Sequence, residues 1–374
     1  MKDKNAPAFL AIALLGALLF SLITIYASAE GSKALKKNID VSARAAVLYE
    51  PTTERILYSK NADERLPMAS TTKIMTAIIA LENADINDYV TVDEKAVGVE
   101  GSSAYLKAGE ILKLEELIYA LMLQSANDAA EAIAYHVAGD INSFADMMNE
   151  KARALGLENT NFENPHGLDA ENHYTTAKDL SIIAAYALDN PFLRTVSSTY
   201  KRTFTSTEKQ RTFVNHNKLL LRFNGAIGLK TGFTKKSGRC LVGSAEKDGL
   251  RLITVTLNAP CDWADHASML DYGFSELEMV SLLEKDEINY TIPVLNGHRS
   301  AVRVTCKNAL SQVLPRNNRE IKKYIKLQPM LTAPINKGDV VGTVIITSDG
   351  TQIGEVELIA EETVMKKKPE HFFK

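Results

Sequence analysis

Ser70 and Lys73 are the first residues whose types and spacing could do chemistry: a hydroxyl and, three positions on, an amine, within ERLPMASTTKIMTAIIALE over residues 64–82. Positions three apart share one face of a helix, so the two side-chain tips can come within hydrogen-bond reach. A serine hydroxyl attacks a carbonyl when a base takes its proton. A lysine held against apolar walls has its charged form disfavoured and can be that base. Ile74, Ala77, Ile78 and Leu81 recur at helical spacing and predict a helix opening at Ser70. Its unpaired N–H groups and positive dipole end favour negative charge developing on an attacked carbonyl.

The spacing alone decides little, because it recurs at Ser198/Lys201, Ser206/Lys209 and Ser244/Lys247. An N-cap serine followed by a solvated lysine would also explain it. Two further elements change the weighing: Ser125-Ala126-Asn127 between two helical stretches, and Lys230-Thr231-Gly232 on a strand. Ser-x-Asn recurs at Ser59 to Asn61, whereas Lys-Thr-Gly occurs once. The order Ser-x-x-Lys, Ser-x-Asn, Lys-Thr-Gly, with only the Ser70 copy opening a long apolar helix, carries the argument.

Three distant segments must then be brought together. Residues 43–60 read as two strands around a turn at Pro51 and Thr52. Helical patterns follow over 114–123, 127–138, 142–154 and 176–188, then strands around GLKTGFT and around the Lys247-Asp248-Gly249 turn, then an amphipathic helix from about Asp262 to Leu277. Strands at both ends of a helical block predict an α+β fold, an antiparallel sheet carrying helices, with the first hairpin and the later strands in one sheet. Beyond about residue 286 short β-rich runs separated by Asn-Gly, Lys-Gly-Asp and Asp-Gly turns predict a small all-β domain, with a linker near 280–288.

The chain has 374 residues, 45% of them hydrophobic, with a net charge of −3. It can bury a large core, two domains are expected, and nothing in its charge favours nucleic acid. Lys2 and Lys4 precede an apolar run from Ala8 to Ile25 that ends in Ala27-Ser28-Ala29, an export signal cleaved after Ala29, with an uncleaved membrane anchor as the alternative. Either way the remainder faces outward. Cys240, Cys261 and Cys306 are too few and too spread to staple the fold. They read as three small buried hydrophobes, with a Cys240–Cys261 bridge as the minority reading.

With this trio in this order the sequence resembles the penicillin-recognising serine enzymes, and more narrowly the D-alanyl-D-alanine carboxypeptidases among the low-molecular-mass penicillin-binding proteins. The segments that carry the likeness are NADERLPMASTTKIMTA, LMLQSANDAAEAIA, NFENPHGLDAENHYTTAKDL and GLKTGFTKKSGRC. The resemblance implies a β-lactamase/transpeptidase-like catalytic domain over 30–284, a C-terminal β domain over 285–362 and a basic tail over 363–374. It implies that Ser70 attacks the bond between two terminal D-alanines of a peptidoglycan stem peptide. Lys73 would be the base, Ser125 would relay a proton to the leaving amine, and Asn127 would hold the substrate amide. Lys230 and Thr231 would meet the terminal carboxylate, Gly232 would let the substrate lie against the strand, and the N–H groups of Ser70 and Phe233 would form the oxyanion hole. β-Lactams are the expected covalent inhibitors, and no cofactor or metal is implied.

His166 and His173 invite a zinc reading, but no third ligand accompanies them at a recognisable spacing. His166 is expected either to order its loop or water, or to be purely structural. Phe233 stands where some relatives have histidine. Glu158, Glu163 and Glu171 lack the Glu-x-x-Leu-Asn setting of class A β-lactamases. A D,D-endopeptidase is the nearest alternative, and a non-catalytic penicillin-binding wall protein a more distant one. The tail ETVMKKKPEHFFK reads as solvated, with weak contact to an anionic membrane surface as the second reading.

Overall fold

The expected hairpin forms: Ala45–Glu50 and Arg55–Lys60 pair antiparallel, with Glu50 opposite Arg55. In this computed structural model residues 39–205 and 210–368 are described. The proposed export segment, the Ser206/Lys209 pair and the last residues of the basic tail lie outside them.

Ala45–Glu50 is buried at every position rather than at alternate ones. The reason is that both faces of its sheet are covered. Ala45, Val47 and Tyr49 face the core shared with the helical block, and Ala46 and Leu48 the core under the Asp262–Glu276 helix. The five strands run Arg55–Lys60, Ala45–Glu50, Leu250–Leu257, Gly238–Lys247, Ala226–Thr234 in spatial order, all antiparallel. The first hairpin and the later strands thus share one sheet, and Lys230-Thr231-Gly232 falls on its edge strand. The turn between Gly238–Lys247 and Leu250–Leu257 places Asp248 and Gly249 at positive φ, 49° and 80°. That is the conformation a two-residue hairpin loop needs.

The helical block comprises Lys73–Asn83, Leu114–Tyr119, Asn127–Ala138, Ile141–Ala154 and Ala177–Asp189. The helix expected to open at Ser70 instead begins with a tight 3-10 turn, Ala69–Thr72, before the α-helix from Lys73. The helix expected over 114–123 ends in a π-helical turn, Ala120–Gln124, leading into Ser125. Among the elements that periodicity did not reveal are the short helix Pro191–Ser198 and the pair Lys201–Thr205 with Gln210–Val214. The short helix carries its own signal: Asn190 caps it by accepting from Phe192 N and Leu193 N, with Pro191 at its first position.

The β-rich segment forms a six-stranded sheet in the order Ile321–Leu327, Val340–Ser348, Thr351–Ala360, Ala301–Cys306, Tyr290–Leu295, Leu331–Thr332. Alternate residues such as Val302, Val304 and Cys306 enter its core. The strand Leu277–Leu283 pairs with Leu310–Pro315. It splits its apolar residues, Leu277 facing the core of the Asp262–Glu276 helix and Leu282 and Leu283 the core of the β segment. Val364, counted with the tail in the sequence, pairs with Ile335 and is buried. All three thiols are free; Cys240 and Cys306 are buried as expected, but Cys261 is exposed. Among the described residues no helix is long and apolar enough to cross a membrane.

Candidate active site

Ser70 lies on the 3-10 turn, which is fixed from within by Thr71 Oγ1 donating to Met68 O at 2.6 Å and Thr72 Oγ1 to Ala69 O at 2.8 Å. Ala69 holds φ 49°, a left-handed conformation that costs a non-glycine residue energy and is tolerated where the surroundings impose it. Ser125 does the same, with φ 61° and ψ 31°, between the π turn and the Asn127 helix. Two strained residues therefore flank one cleft of about 360 Å³, lined by Ser70, Ser125, Thr231, Gly232 and Phe233 among others.

Behind the cleft, Lys73 is completely buried and its Nζ has three polar neighbours: Ser70 Oγ at 3.0 Å, Asn127 Oδ1 at 2.6 Å and the His166 carbonyl at 2.6 Å. Burial first, and then the nearby charge of Lys230, hold its pKa well below the usual lysine range, opposed by Asp128. A neutral amine has two N–H donors and one lone pair. The two carbonyl oxygens can only accept, so they take both N–H groups and leave the lone pair facing the Ser70 hydroxyl. Asn127 cannot turn its amide over without losing the bond from Nδ2 to Glu100 O.

Lys230 is also buried, donates to Thr231 O at 3.1 Å, and is pulled down by burial to a pKa of about 7. The edge strand reaches the nucleophile at Gly232: a Cβ there would stand 3.0 Å from Ser70 N and 3.1 Å from Met68 O. Any side chain there would force the backbone of the nucleophile turn to give by a few tenths of an ångström. Phe233 exposes 66% of its surface beside the cleft.

Of the candidate site residues, Ser70, Ser125, Thr231, Gly232 and Phe233 thus line one cleft, with Lys73, Asn127 and the His166 carbonyl joined behind Ser70. The order of access differs from the expectation: Asn127 and Lys230, expected to touch substrate, are 4% and 1% exposed, while Thr231 lines the open cleft. The two histidines sit in the loop against this turn. His173, driven down to a pKa of about 3 by burial, bridges Thr72 Oγ1 at 2.8 Å and the Glu163 N–H at 3.0 Å. Its neutral ring ties the loop to the nucleophile turn. The loop backbone presses so close that a Cβ on Gly167, at φ 90°, would fall 1.9 Å from Ala69 O. Among the described residues no group of three or more His, Cys, Asp or Glu could hold a metal ion.

Sequence reasoning missed the far wall of the cleft, where His216, Lys218, Arg239, Asp262 and Trp263 stand. Arg239 Nη2 bonds both carboxylate oxygens of Asp262, at 2.8 and 3.0 Å. The register that pairs Phe233 with Arg239 brings that arginine to the cleft, and no local motif announces it. Glu131, whose Oε1 lies 3.3 Å from His166 Nε2, was missed as well. It stands one helical turn after Asn127 on the same face, a relation visible only once the loop is docked.

A buried amine aimed at a cleft hydroxyl, on an antiparallel sheet carrying a helical block, defines the serine enzymes of acyl transfer. The family model described as D-alanyl-D-alanine carboxypeptidase matches residues 31–261, and that described as penicillin-binding protein 5, C-terminal domain, matches residues 277–366. D-alanyl-D-alanine carboxypeptidase DacF of Bacillus subtilis is 33% identical over 358 residues, 92% of this chain and 92% of that protein. D-alanyl-D-alanine carboxypeptidase DacC of Escherichia coli is 36% identical over 87% of this chain and 84% of its own length. The solved structure of penicillin binding protein 5 from Haemophilus influenzae matches with a TM-score of 0.66 at 29% identity, over 88% of this chain and all of that one. The chain belongs to the D-alanyl-D-alanine carboxypeptidase family.

Proposed function

We propose that this protein is a serine D-alanyl-D-alanine carboxypeptidase that removes the terminal D-alanine from peptidoglycan stem pentapeptides through an acyl-enzyme on Ser70. The observation that carries this reading is the geometry of Lys73, whose two carbonyl partners leave its lone pair for the Ser70 hydroxyl. Lys73 takes the serine proton as Oγ attacks the penultimate D-alanine carbonyl. The N–H groups of Ser70 and Phe233 stabilise the oxyanion. Ser125 passes a proton to the leaving amine, the C–N bond breaks and D-alanine departs. Water then cleaves the ester and restores the hydroxyl.

Thr231 meets the terminal carboxylate directly and Lys230 acts on it through its field from beneath the strand. Asn127 orients Lys73 with its carbonyl and has one N–H left for the substrate amide. His166 supports the loop. β-Lactams, which offer a carbonyl to the same hydroxyl, acylate Ser70 and stay. No cofactor takes part in these steps.

The work is done outside the cytoplasmic membrane, residues 1–29 serving as the export signal. Residues 30–284 form the catalytic domain and 285–362 the β domain. Of the basic segment 363–374, Val364 and Lys366 bridge to Ile335 and Gly297 in the β domain. Incubation with a stem pentapeptide is expected to release D-alanine at a far higher rate than a cross-linked dimer is cut. Preferential cutting of the dimer would make the protein a D,D-endopeptidase, and no release from either would contradict the enzyme reading.

A further inference from the structure

His166 presents two different faces to the site. Its main-chain carbonyl accepts from Lys73 Nζ, while its ring points away, toward the Asn127–Ala138 helix. The ring's tautomer is set by its neighbours: Nδ1 accepts from the Leu168 N–H at 3.1 Å, so the proton of the neutral ring is on Nε2, facing Glu131 Oε1 at 3.3 Å. Both side chains are largely enclosed, 9% exposed for His166 and 15% for Glu131. Residues 164–167 are pinned at two further points: Thr76 Oγ1 donates to Pro165 O at 2.5 Å, and the Gly167 N–H to Asn164 Oδ1 at 2.7 Å. One helix therefore grips Lys73 twice, directly through Asn127 and indirectly through Glu131 and the His166 backbone.

We infer that Glu131 is a positioning residue for acylation: its carboxylate fixes the His166 ring, and with it the His166 carbonyl that occupies one N–H of Lys73 and keeps the lone pair on Ser70. The inference rests on Lys73 being the base. Without Glu131 the Nε2–H loses the carboxylate 3.3 Å away and the ring can turn; Pro165 and Gly167 stay pinned, so it is the His166 peptide between them that loses its support and Lys73 one of its fixed partners. Misplacement by about an ångström costs a reaction on the order of a hundredfold. The charged and titratable groups facing His166 are Glu131 and Lys73, with His173 on the same loop. Removing the carboxylate's charge lowers the proton affinity of His166, whose Nδ1 must stay unprotonated to accept from the Leu168 N–H.

The test is the acylation rate by benzylpenicillin across pH for the full chain, Glu131→Ala and Glu131→Gln. In Glu131→Ala the acylation rate constant is expected to fall tenfold or more, with the affinity of the initial noncovalent complex unchanged. Glu131→Gln keeps a carbonyl for Nε2–H and is expected within about threefold of the parent at neutral pH, with its acid limb displaced to lower pH. A stabilising brace with no part in positioning would alter thermal stability and leave that limb in place. Acylation of Glu131→Ala at the parental rate, or the full loss in Glu131→Gln as well, would overturn the inference. If Glu131→Ala does not fold, the limb of Glu131→Gln decides: displaced downward it supports the role, unmoved it refutes it. A parent protein that takes up no penicillin contradicts the serine–lysine reading itself, and is seen before any variant is measured.

Discussion

At the scale of single residues the site works by placing two lysines where water cannot reach them. Burial and mutual repulsion keep Lys73 short of its proton. Replacing Lys230 by glutamine removes a neighbouring positive charge, so Lys73 holds its proton to higher pH and the acid limb of acylation should move upward; an unmoved limb in a pH–rate series would contradict this. The same burial has a sign for stability. Lys230 has a pKa of about 7 in the folded chain against an ordinary 10.5, so between those values the unfolded chain binds the extra proton. Stability therefore rises with pH through that window, and the cost of burial is greatest below it. Lys230→Met is expected to be inactive yet to unfold at higher temperature near neutrality, the advantage fading as pH approaches the upper value. Gly232→Ala should slow acylation on the order of 10- to 100-fold, because its methyl crowds backbone atoms of the nucleophile turn. Ser70, Lys73, Ser125, Asn127 and Lys230 were legible because each belongs to a short motif whose spacing is itself the signal. The His166 carbonyl was not, since any residue has a carbonyl and only the fold aims it.

At the scale of elements, the wall of the cleft depends on a hairpin that periodicity did not reveal. Its strands, Lys201–Thr205 and Gln210–Val214, have polar residues at most positions and so offer a weak pattern. What anchors it is Arg211, whose side chain is 4% exposed and pairs with Glu110, with Glu116 at 3.9 Å. Burial pushes the Glu116 carboxyl up, against the pull of Arg211. Arg211→Met strands buried carboxylates and should cost about 3–5 kcal/mol in denaturant unfolding. Because the His216 N–H bonds Leu123 O directly after the hairpin, the same change should loosen that wall of the cleft.

At the scale of the whole molecule, the α+β architecture was readable because each run was long enough for its period to show, and because hairpin turns such as Asp248-Gly249 carry their own chemistry. The strand Leu277–Leu283 was not separable from its surroundings, since it shares its apolar residues between two cores. The claim on which the account turns is that the Ser70 hydroxyl, with Lys73 behind it, is the nucleophile. Intact-mass measurement after exposure to benzylpenicillin tests it most directly. One covalent adduct per chain, mapped to the peptide bearing Ser70 and missing from Ser70→Ala, is the expected result. An adduct that persists in Ser70→Ala, or one carried by another residue, would contradict it.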